Sequence, residues 1–286
     1  GWLTATPAVL IVVLVAAIGV VLWFQSRSSI ETFGLAFLTD SSWDPVAGRF
    51  GAWPFIWGTL YSSVLALSIA APTAIGIAIF LSDICPHRLR APLVFLTELL
   101  AAVPSIVYGL WGIFFLVPAV RTLQEGLPAW LRQLPLFEGP TVGASMLSAA
   151  LVLAVMVIPY ISSVAREVLQ AVPRAQREAA YALGSTRWEA TVVALRYARI
   201  GIVGAVMLGF GRAVGETMAV TMVIGNNPQA SLSLFAPQYT MAAVIANEFA
   251  EADPGLHTAA LMELGLILFA ITLVVLVVSK LLLTRL

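Results

Sequence analysis

The stretch REAAYALGSTRWEA, residues 177–190, carries four charged side chains in fourteen positions. It stands in a chain of 286 residues of which 60% are hydrophobic and only 10% are charged. The mean hydropathy of +0.96 is far above that of a soluble domain, because long charge-free segments dominate the sequence. The chain is therefore expected to be an integral membrane protein, within which this polar, helix-forming patch needs an explanation.

Apolar segments flank the patch on both sides. A helix needs roughly 20 apolar residues to cross the hydrocarbon core of a bilayer. The chain offers about six such segments, at residues 6–24, 53–82, 91–118, 141–165, 199–225 and 258–283. The first is interpreted as a span and not as a secretory signal, since it has no basic region before it and no small-residue cleavage site after it. The predicted fold class is all-α, a polytopic membrane protein with about six transmembrane helices.

The distribution of Lys and Arg predicts the orientation, because basic residues stay on the cytoplasmic side of membrane helices. Ten of the 15 basic residues fall in one set of alternate loops: Arg88, Arg90, Arg166, Arg174, Arg177, Arg187, Arg196, Arg199, Lys280 and Arg285. The opposite loops hold Arg27, Arg49, Arg121 and Arg132. We expect a multi-pass protein of the plasma (inner) membrane with both termini cytoplasmic, which puts residues 177–190 in the cytoplasm.

The patch combines a helix end with a helix start. Pro173 suits the first turn of a helix, and Gly184 is a natural stop for it. Thr186, followed three residues later by Glu189, has the form of a capping box. A second helix is therefore expected to begin here and to run toward the membrane as far as Arg199. The sequence predicts a helix, a glycine corner and another helix.

The first of these helices offers a surface that another protein can approach closely. Ala179 and Ala180 are small, and Arg177 and Arg187 stand at the rim of the corner. The alternative is an ordinary amphipathic helix lying on the membrane surface. The physical features of these residues leave both interpretations open.

The same residues resemble a known signature. Glu178-Ala179-Ala180, three further residues and then Gly184 are similar to the EAA loop of the permease subunits of binding-protein-dependent ABC importers. The resemblance implies a coupling helix that docks on an ATPase, and we expect its contact to involve Arg177, Glu178, Ala179, Ala180, Gly184 and Arg187. The sequence departs from the signature at Leu195-Arg196-Tyr197, where the family has Leu-Pro.

Three further blocks resemble one branch of that family, the PstC-type permeases of phosphate importers. They are ELLAAVPSIVYGLWG at 98–112, GRAVGETMAVTMVIGN at 211–226 and YTMAAVIANEFAEA at 239–252. The resemblance implies a type I ABC importer permease fold and inorganic phosphate as the substrate. It divides the chain into residues 1–52, a first transmembrane helix with an outer loop, and residues 53–286, a permease core with its coupling loop near 166–198.

The partners implied by the resemblance are two ATPase subunits, a second permease of the PstA type and an extracytoplasmic phosphate-binding protein, all assembled in or on the lipid bilayer. No nucleic acid partner is expected. The chain itself cannot be the ATPase, because a P-loop ends in Lys followed by Ser or Thr and the only lysine, Lys280, precedes Leu281. ATP is thus expected on the partner ATPase and no cofactor on this chain. With His87 and His257 on opposite sides of the membrane, no paired-His metal site is expected.

A charge inside a span usually faces a cavity or a partner. Arg212 and Glu216 are four residues apart in the segment 199–225, so they are expected on one helical face. Arg212 offers an oxyanion a planar fork of donors, and Thr217 and Thr221 are candidate hydroxyl donors beside it. We expect these four residues to line the substrate pathway. The alternative is a buried Arg212–Glu216 pair that only fixes the packing.

Two rival functions explain some of the same residues. A stand-alone secondary anion carrier explains Arg212 and Glu216 equally well, but it gives the corner no purpose and usually shows a duplicated half. A second rival is an importer of molybdate or sulfate, since charge alone does not distinguish these oxyanions from phosphate. The segment 226–257 either docks a binding protein or is a solvated connector that caps the helices.

Overall fold

The computed structural model describes residues 2–285, without the side chains of residues 2–5, 8, 284 and 285. Arg285, used above for the orientation, thus has its side chain outside the described residues. The helices are α1 (Trp2–Phe33), α2 (Ala36–Thr39), α3 (Trp53–Ile79), α4 (His87–Ala102), α5 (Ser105–Trp111), α6 (Val117–Gly126), α7 (Ala129–Arg132), α8 (Met146–Gln170), α9 (Arg174–Ala182), α10 (Arg187–Val214), α11 (Met218–Val223), α12 (Met241–Glu248) and α13 (Leu256–Arg285). Two short antiparallel strands, β1 (Trp43–Asp44) and β2 (Arg49–Phe50), form a hairpin.

Six helical segments of this described part are long and apolar enough to cross a membrane, which confirms the predicted fold class. They are Val9–Phe33, Trp53–Ile84, Ser105–Gly126, Met146–Gln170, Arg187–Val214 and Leu256–Leu283. Two of them contain a π-helical turn, at Phe80–Ile84 after α3 and at Gly112–Leu116 between α5 and α6. Such turns often mark functional positions in a helix.

The third span differs from the predicted segment 91–118. α4 ends at Ala102 and Val103 is extended, with ψ of 129°. Pro104 follows, and it disfavours the helical conformation of the residue before it and cannot donate a backbone hydrogen bond. The crossing segment therefore begins at Ser105, and α4 becomes a separate helix of 16 residues, too short to span a bilayer.

The fifth span also differs from its predicted position. The helix expected to run from the corner to Arg199 continues without interruption to Val214, so the corner helix and the span are one element. The helix ends before Gly215, and a short helix, α11, follows from Met218. Two glycines four residues apart, Gly211 and Gly215, weaken the helix at this place.

α8 is the central helix of the bundle. Of its 18 most apolar consecutive residues 61% are buried, against 6% of the corresponding stretches of α1 and of α13. It packs against α3, α4 and α10, and its inward side chains Leu153, Val157 and Ile161 belong to one continuous apolar core. Ser145 caps its first turn by accepting a hydrogen bond from the Ser148 amide. The helix continues through Pro159, as α3 does through Pro72.

The turn between α9 and α10 lies at one end of the bundle, the corner end. At the opposite end, residues 225–241 fold back onto α3. The Met241 amide donates to Thr59 Oγ1 at 3.0 Å, and α12 packs with α13 around a second apolar cluster that includes Phe55. Burial raises the pKa of the Tyr239 phenol in this layer. Residues 226–257 thus cap the helices at this end, with residues 238–244 buried and much of residues 246–255 exposed.

Candidate functional site

The corner has the geometry that the sequence predicts. α9 ends at Ala182, and Gly184 takes the left-handed conformation with φ of +83°. The Ser185 amide donates to the Ala180 carbonyl at 3.1 Å, and the Gly184 amide donates to the Tyr181 carbonyl at 2.9 Å. These two bonds form a Schellman motif, in which glycine is favoured because a Cβ is strained at this φ.

The capping box at the start of α10 is also confirmed. The Glu189 carboxylate accepts from the Thr186 amide at 2.7 Å, while Thr186 Oγ1 accepts from the Glu189 amide at 3.4 Å. Both bonds satisfy amides that have no partner within the helix. The Schellman motif and the capping box together fix the angle between α9 and α10.

The residues predicted to couple to an ATPase divide into two groups. Glu178, Ala179, Gly184 and Arg187 are exposed, as is Leu183 with 88% of its surface accessible. Ala180 is buried against the bundle, and the Arg177 side chain points inward. The exposed group forms a small, uneven surface at the tip of the corner.

Arg177 makes an ion pair that the sequence analysis missed. Its Nη1 lies 2.6 Å from Asp83 Oδ1, in the π-helical turn after α3. Its Nη2 also donates to the Leu169 carbonyl at 3.3 Å. The one available signal was an acidic residue at the end of an apolar span, just before Cys85-Pro86. The pairing itself could not be predicted, because the partners are 94 positions apart in the sequence.

Arg212 lies near the middle of the bundle. Its guanidinium carbon is 5.8 Å from the centre of the Tyr160 ring, and Tyr160 lies about 21 Å from the start of α8 and about 15 Å from its end. About one turn earlier, Gly209 brings α10 against α8, since a Cβ there would be 2.5 Å from the Ile161 side chain. The Arg212 side chain itself is exposed in the single chain.

Glu216 does not share a helical face with Arg212, so this expectation was wrong. α10 ends at Val214, and Glu216 lies in the break before α11. Its Oε1 accepts from the Ala219 amide at 3.4 Å, which caps the start of α11. Within residues 2–285 the two side chains form no ion pair. The buried Arg212–Glu216 pair considered as an alternative is therefore absent from this conformation.

Thr217 and Thr221 lie in the same break and in α11, partly buried. The Thr217 hydroxyl donates to the Gly215 carbonyl at 3.4 Å, and the Thr221 hydroxyl donates to the Thr217 carbonyl at 2.7 Å. Asn226, at φ of 51°, donates its side-chain amide to the Thr221 carbonyl at 3.0 Å. The structure thus brings Thr217, Thr221 and Glu216 together around one helix break, with Arg212 just before it.

Comparisons with known proteins agree with this architecture. Residues 74–286 match the family described as binding-protein-dependent transport system inner membrane component. The phosphate transport system permease protein PstC of Pasteurella multocida is 50% identical over 284 residues, which cover 97% of this chain and 88% of that protein. PstC of Haemophilus influenzae is 48% identical over 99% of this chain and 91% of that protein. PstC of Mesorhizobium japonicum is 46% identical over 99% and 88%, respectively.

A solved structure shares the fold at much lower sequence identity. A chain of the MetNI methionine ABC transporter in inward facing conformations aligns with a TM-score of 0.51 and 16% identity. The alignment covers 81% of this chain and 94% of that chain. The chain belongs to the binding-protein-dependent transport system inner membrane components, the permeases of ABC importers, and within them to the PstC family.

Proposed function

We propose that this chain is the transmembrane permease subunit of an ATP-driven importer that moves inorganic phosphate into the cell. The names of the relatives support the substrate, since PstC proteins of three bacteria that are 46–50% identical are called phosphate transport system permeases. ATP hydrolysis takes place on a separate ATPase subunit. The chain is then a transport subunit and not an enzyme.

One observation carries the transport role: Arg212 is exposed at mid-height of the bundle. An arginine facing lipid at this depth costs at least roughly 2.5–3.5 kcal/mol. Its surface therefore faces water or another protein chain in the membrane. A pathway between this chain and a second, PstA-type permease provides both, and the guanidinium fork suits an oxyanion passing through it.

The residues of the helix break after Arg212 keep the binding of phosphate weak. The Thr217 and Thr221 hydroxyls now donate to backbone carbonyls, so phosphate competes with bonds that already exist. Glu216, capping α11, adds a negative charge that opposes long retention of an anion. A transporter needs such weak binding, because it must release what it attracts.

The corner is the docking surface for the ATPase. Its tip is exposed at Glu178, Ala179, Leu183 and Gly184, and its shape is held by two capping motifs. A docking site for an ATPase lies in the cytoplasm, which places both termini there as well, in agreement with the distribution of basic residues. The opposite end, with the layer formed by residues 225–257, then faces the extracytoplasmic phosphate-binding protein.

Two alternatives make different predictions. Molybdate and sulfate carry no proton at neutral pH, whereas phosphate keeps a protonated oxygen that can donate a hydrogen bond. A sister importer would therefore be inhibited by those oxyanions. A secondary carrier would work without an ATPase, and membership of the ABC importer permeases speaks against it.

Uptake of labelled phosphate at limiting concentration tests the proposal. Cells that lack the gene are complemented with the wild-type chain, and sulfate and molybdate are added in excess as competitors. We expect uptake that requires the gene and ignores both competitors. Strong inhibition by sulfate or molybdate would assign the chain to another oxyanion, and uptake that persists after removal of the ATPase subunit would contradict the ABC mechanism.

A further inference from the structure

Asp83 lies at a junction of four helices at the corner end of the bundle. It belongs to the π-helical turn that ends α3, and its Oδ1 pairs with Arg177 of α9 at 2.6 Å. Its Oδ2 accepts from the Thr191 hydroxyl of α10 at 3.0 Å. Through Arg177, which also donates to the Leu169 carbonyl at 3.3 Å, the junction reaches the end of α8.

The Asp83 carboxylate is buried, so its stability in the folded protein depends on these contacts. Only 8% of the Asp83 side chain is accessible, against 25% of the Arg177 side chain. A buried carboxylate is retained only where it is paired and hydrogen-bonded, because its desolvation is otherwise uncompensated. Ser82 Oγ adds a further bond to Oδ1 at 2.8 Å. Both oxygens of Asp83 are therefore occupied.

α3 has no short covalent connection to the coupling helix. α9 is joined to α8 by residues 171–173 and to α10 by residues 183–186, so those two helices follow any movement of α9 through the backbone. Ninety-four positions separate Asp83 from Arg177. A movement of α9 reaches α3 through side chains, and Asp83 supplies a charged link between them.

Space for such a movement exists beside the ion pair. A cavity of about 590 Å³ lies between the π-helical turn, α9 and α10. Asp83 and Arg177 line it, together with Tyr181 and Trp188. The π-helical turn itself supplies a local deviation from regular helix at the point where α3 would have to bend.

We propose that Asp83 is a positioning residue that transmits movement of the coupling helix to α3 during the ATP cycle. The inference rests on the proposed function, in which α9 docks on the ATPase. ATP binding or hydrolysis moves α9, Arg177 pulls on Asp83, and the cytoplasmic end of α3 follows. Loss of the Asp83 charge leaves α9 free to move while α3 stays in place, so ATP is hydrolysed without matching phosphate uptake.

The test uses Asp83→Asn in the complete importer reconstituted in liposomes, with phosphate uptake and ATP hydrolysis measured on the same preparation. Asparagine keeps the shape of the side chain and removes its charge. We expect uptake to fall about 10-fold or more while hydrolysis falls less than about 2-fold, which raises the ATP consumed per phosphate. Asp83→Glu, which keeps the charge, should restore most of the uptake. Arg174→Gln is the control, since it removes an exposed charge from α9, the helix that carries Arg177, without touching the ion pair.

Hydrogen exchange gives a second readout that does not depend on the substrate. In the wild-type complex, addition of ATP should change amide exchange both in α9 and in residues 80–86. In Asp83→Asn the change in α9 should persist and the change in residues 80–86 should disappear.

The outcomes separate the possible failures. Uptake and hydrolysis that fall in proportion, with an unchanged ratio, would assign Asp83 a purely structural role and overturn the proposal. An exchange response at residues 80–86 that survives the substitution would overturn it too. If the wild-type complex hydrolyses ATP but imports no phosphate, only the proposed substrate fails, and hydrogen exchange still decides the role of Asp83.

Discussion

Gly58 of α3 lies in direct contact with the backbone carbonyl oxygen of Tyr239, which stands where a side chain at position 58 would be. Next to this contact, Thr59 Oγ1 accepts a hydrogen bond from the Met241 amide. The segment that folds back onto α3 is thus fitted to a helix without a side chain at this point. Glycine is required here for close approach and not for an unusual φ.

Gly58→Ala should therefore displace residues 239–241 from α3. Overpacking of this kind costs about 1–3 kcal/mol, and the obstacle is backbone, which cannot rotate away. We expect a lower melting temperature of the purified protein and faster amide exchange at the start of α12. Gly76→Ala is the control, because position 76 lies in the same helix with nothing within 4 Å of a new Cβ. An equal loss of stability in both variants would contradict the explanation.

Arg212→Lys tests the chemistry of the proposed pathway. Lysine keeps the positive charge but lacks the planar fork that binds two oxygens of one anion. Loss of one charge-assisted hydrogen bond is worth about 1.5–3 kcal/mol, so we expect phosphate uptake to fall at least about 10-fold. The measurement is initial uptake rate, corrected for the amount of protein in the membrane.

Arg121→Lys serves as the control for that experiment. Arg121 is exposed on α6 and pairs with Glu125 at 2.8 Å, where either cation suffices. It should transport as the wild type does. Normal transport by Arg212→Lys would leave Arg212 with a packing role only.

Gly184→Val and Gly184→Asn should differ, although nothing lies within 4 Å of a Cβ at this position. The only obstacle is the backbone, which has φ of +83°. Asparagine tolerates this conformation, whereas a β-branched residue does not, and the left-handed region costs an ordinary residue about 1–2 kcal/mol. We expect the valine variant to lose ATP-driven uptake and the asparagine variant to keep most of it. Equal activity of the two variants would count against a role for the Schellman turn in coupling.

Thr186→Ala should loosen the first turn of α10. It removes one half of the capping box, which is typically worth about 1 kcal/mol, while the Glu189 side chain keeps its bond from the backbone amide. Hydrogen exchange of residues 187–190 should accelerate. Thr122→Ala is the control, since Thr122 is exposed within α6 and donates only to the Pro118 carbonyl. If Thr122→Ala accelerates hydrogen exchange in α6 to a similar extent, the loss of a helix cap does not explain the effect of Thr186→Ala.

Local chemistry made the corner predictable from the sequence. Gly184, Thr186 and Glu189 fix the turn through contacts within a few residues, so the pattern alone gives its geometry. The number of spans was predictable for a similar reason, because hydropathy is summed over each segment. The fold and the corner therefore agree closely with the sequence-based prediction.

Features that depend on competing or distant contacts were missed. Pro104 ends α4 inside the segment 91–118, where the local effect of the proline competes with a hydropathy that indicates one uninterrupted span. The helix break at Gly215 separates Glu216 from Arg212, although their spacing suggests one face. The ion pair between Asp83 and Arg177 arises only when α3 and α9 meet in space, which no local pattern encodes.

The continuity of α10 has a mechanical consequence. The helix runs without a break from Arg187 to Arg212, so about 38 Å of continuous helix joins the corner to Arg212. A tilt of only about 10° about the corner would displace the Arg212 end by about 6–7 Å, more than the pitch of one helical turn. In the proposed importer, a small tilt of α10 about its capping box would therefore become a displacement of several ångströms at Arg212.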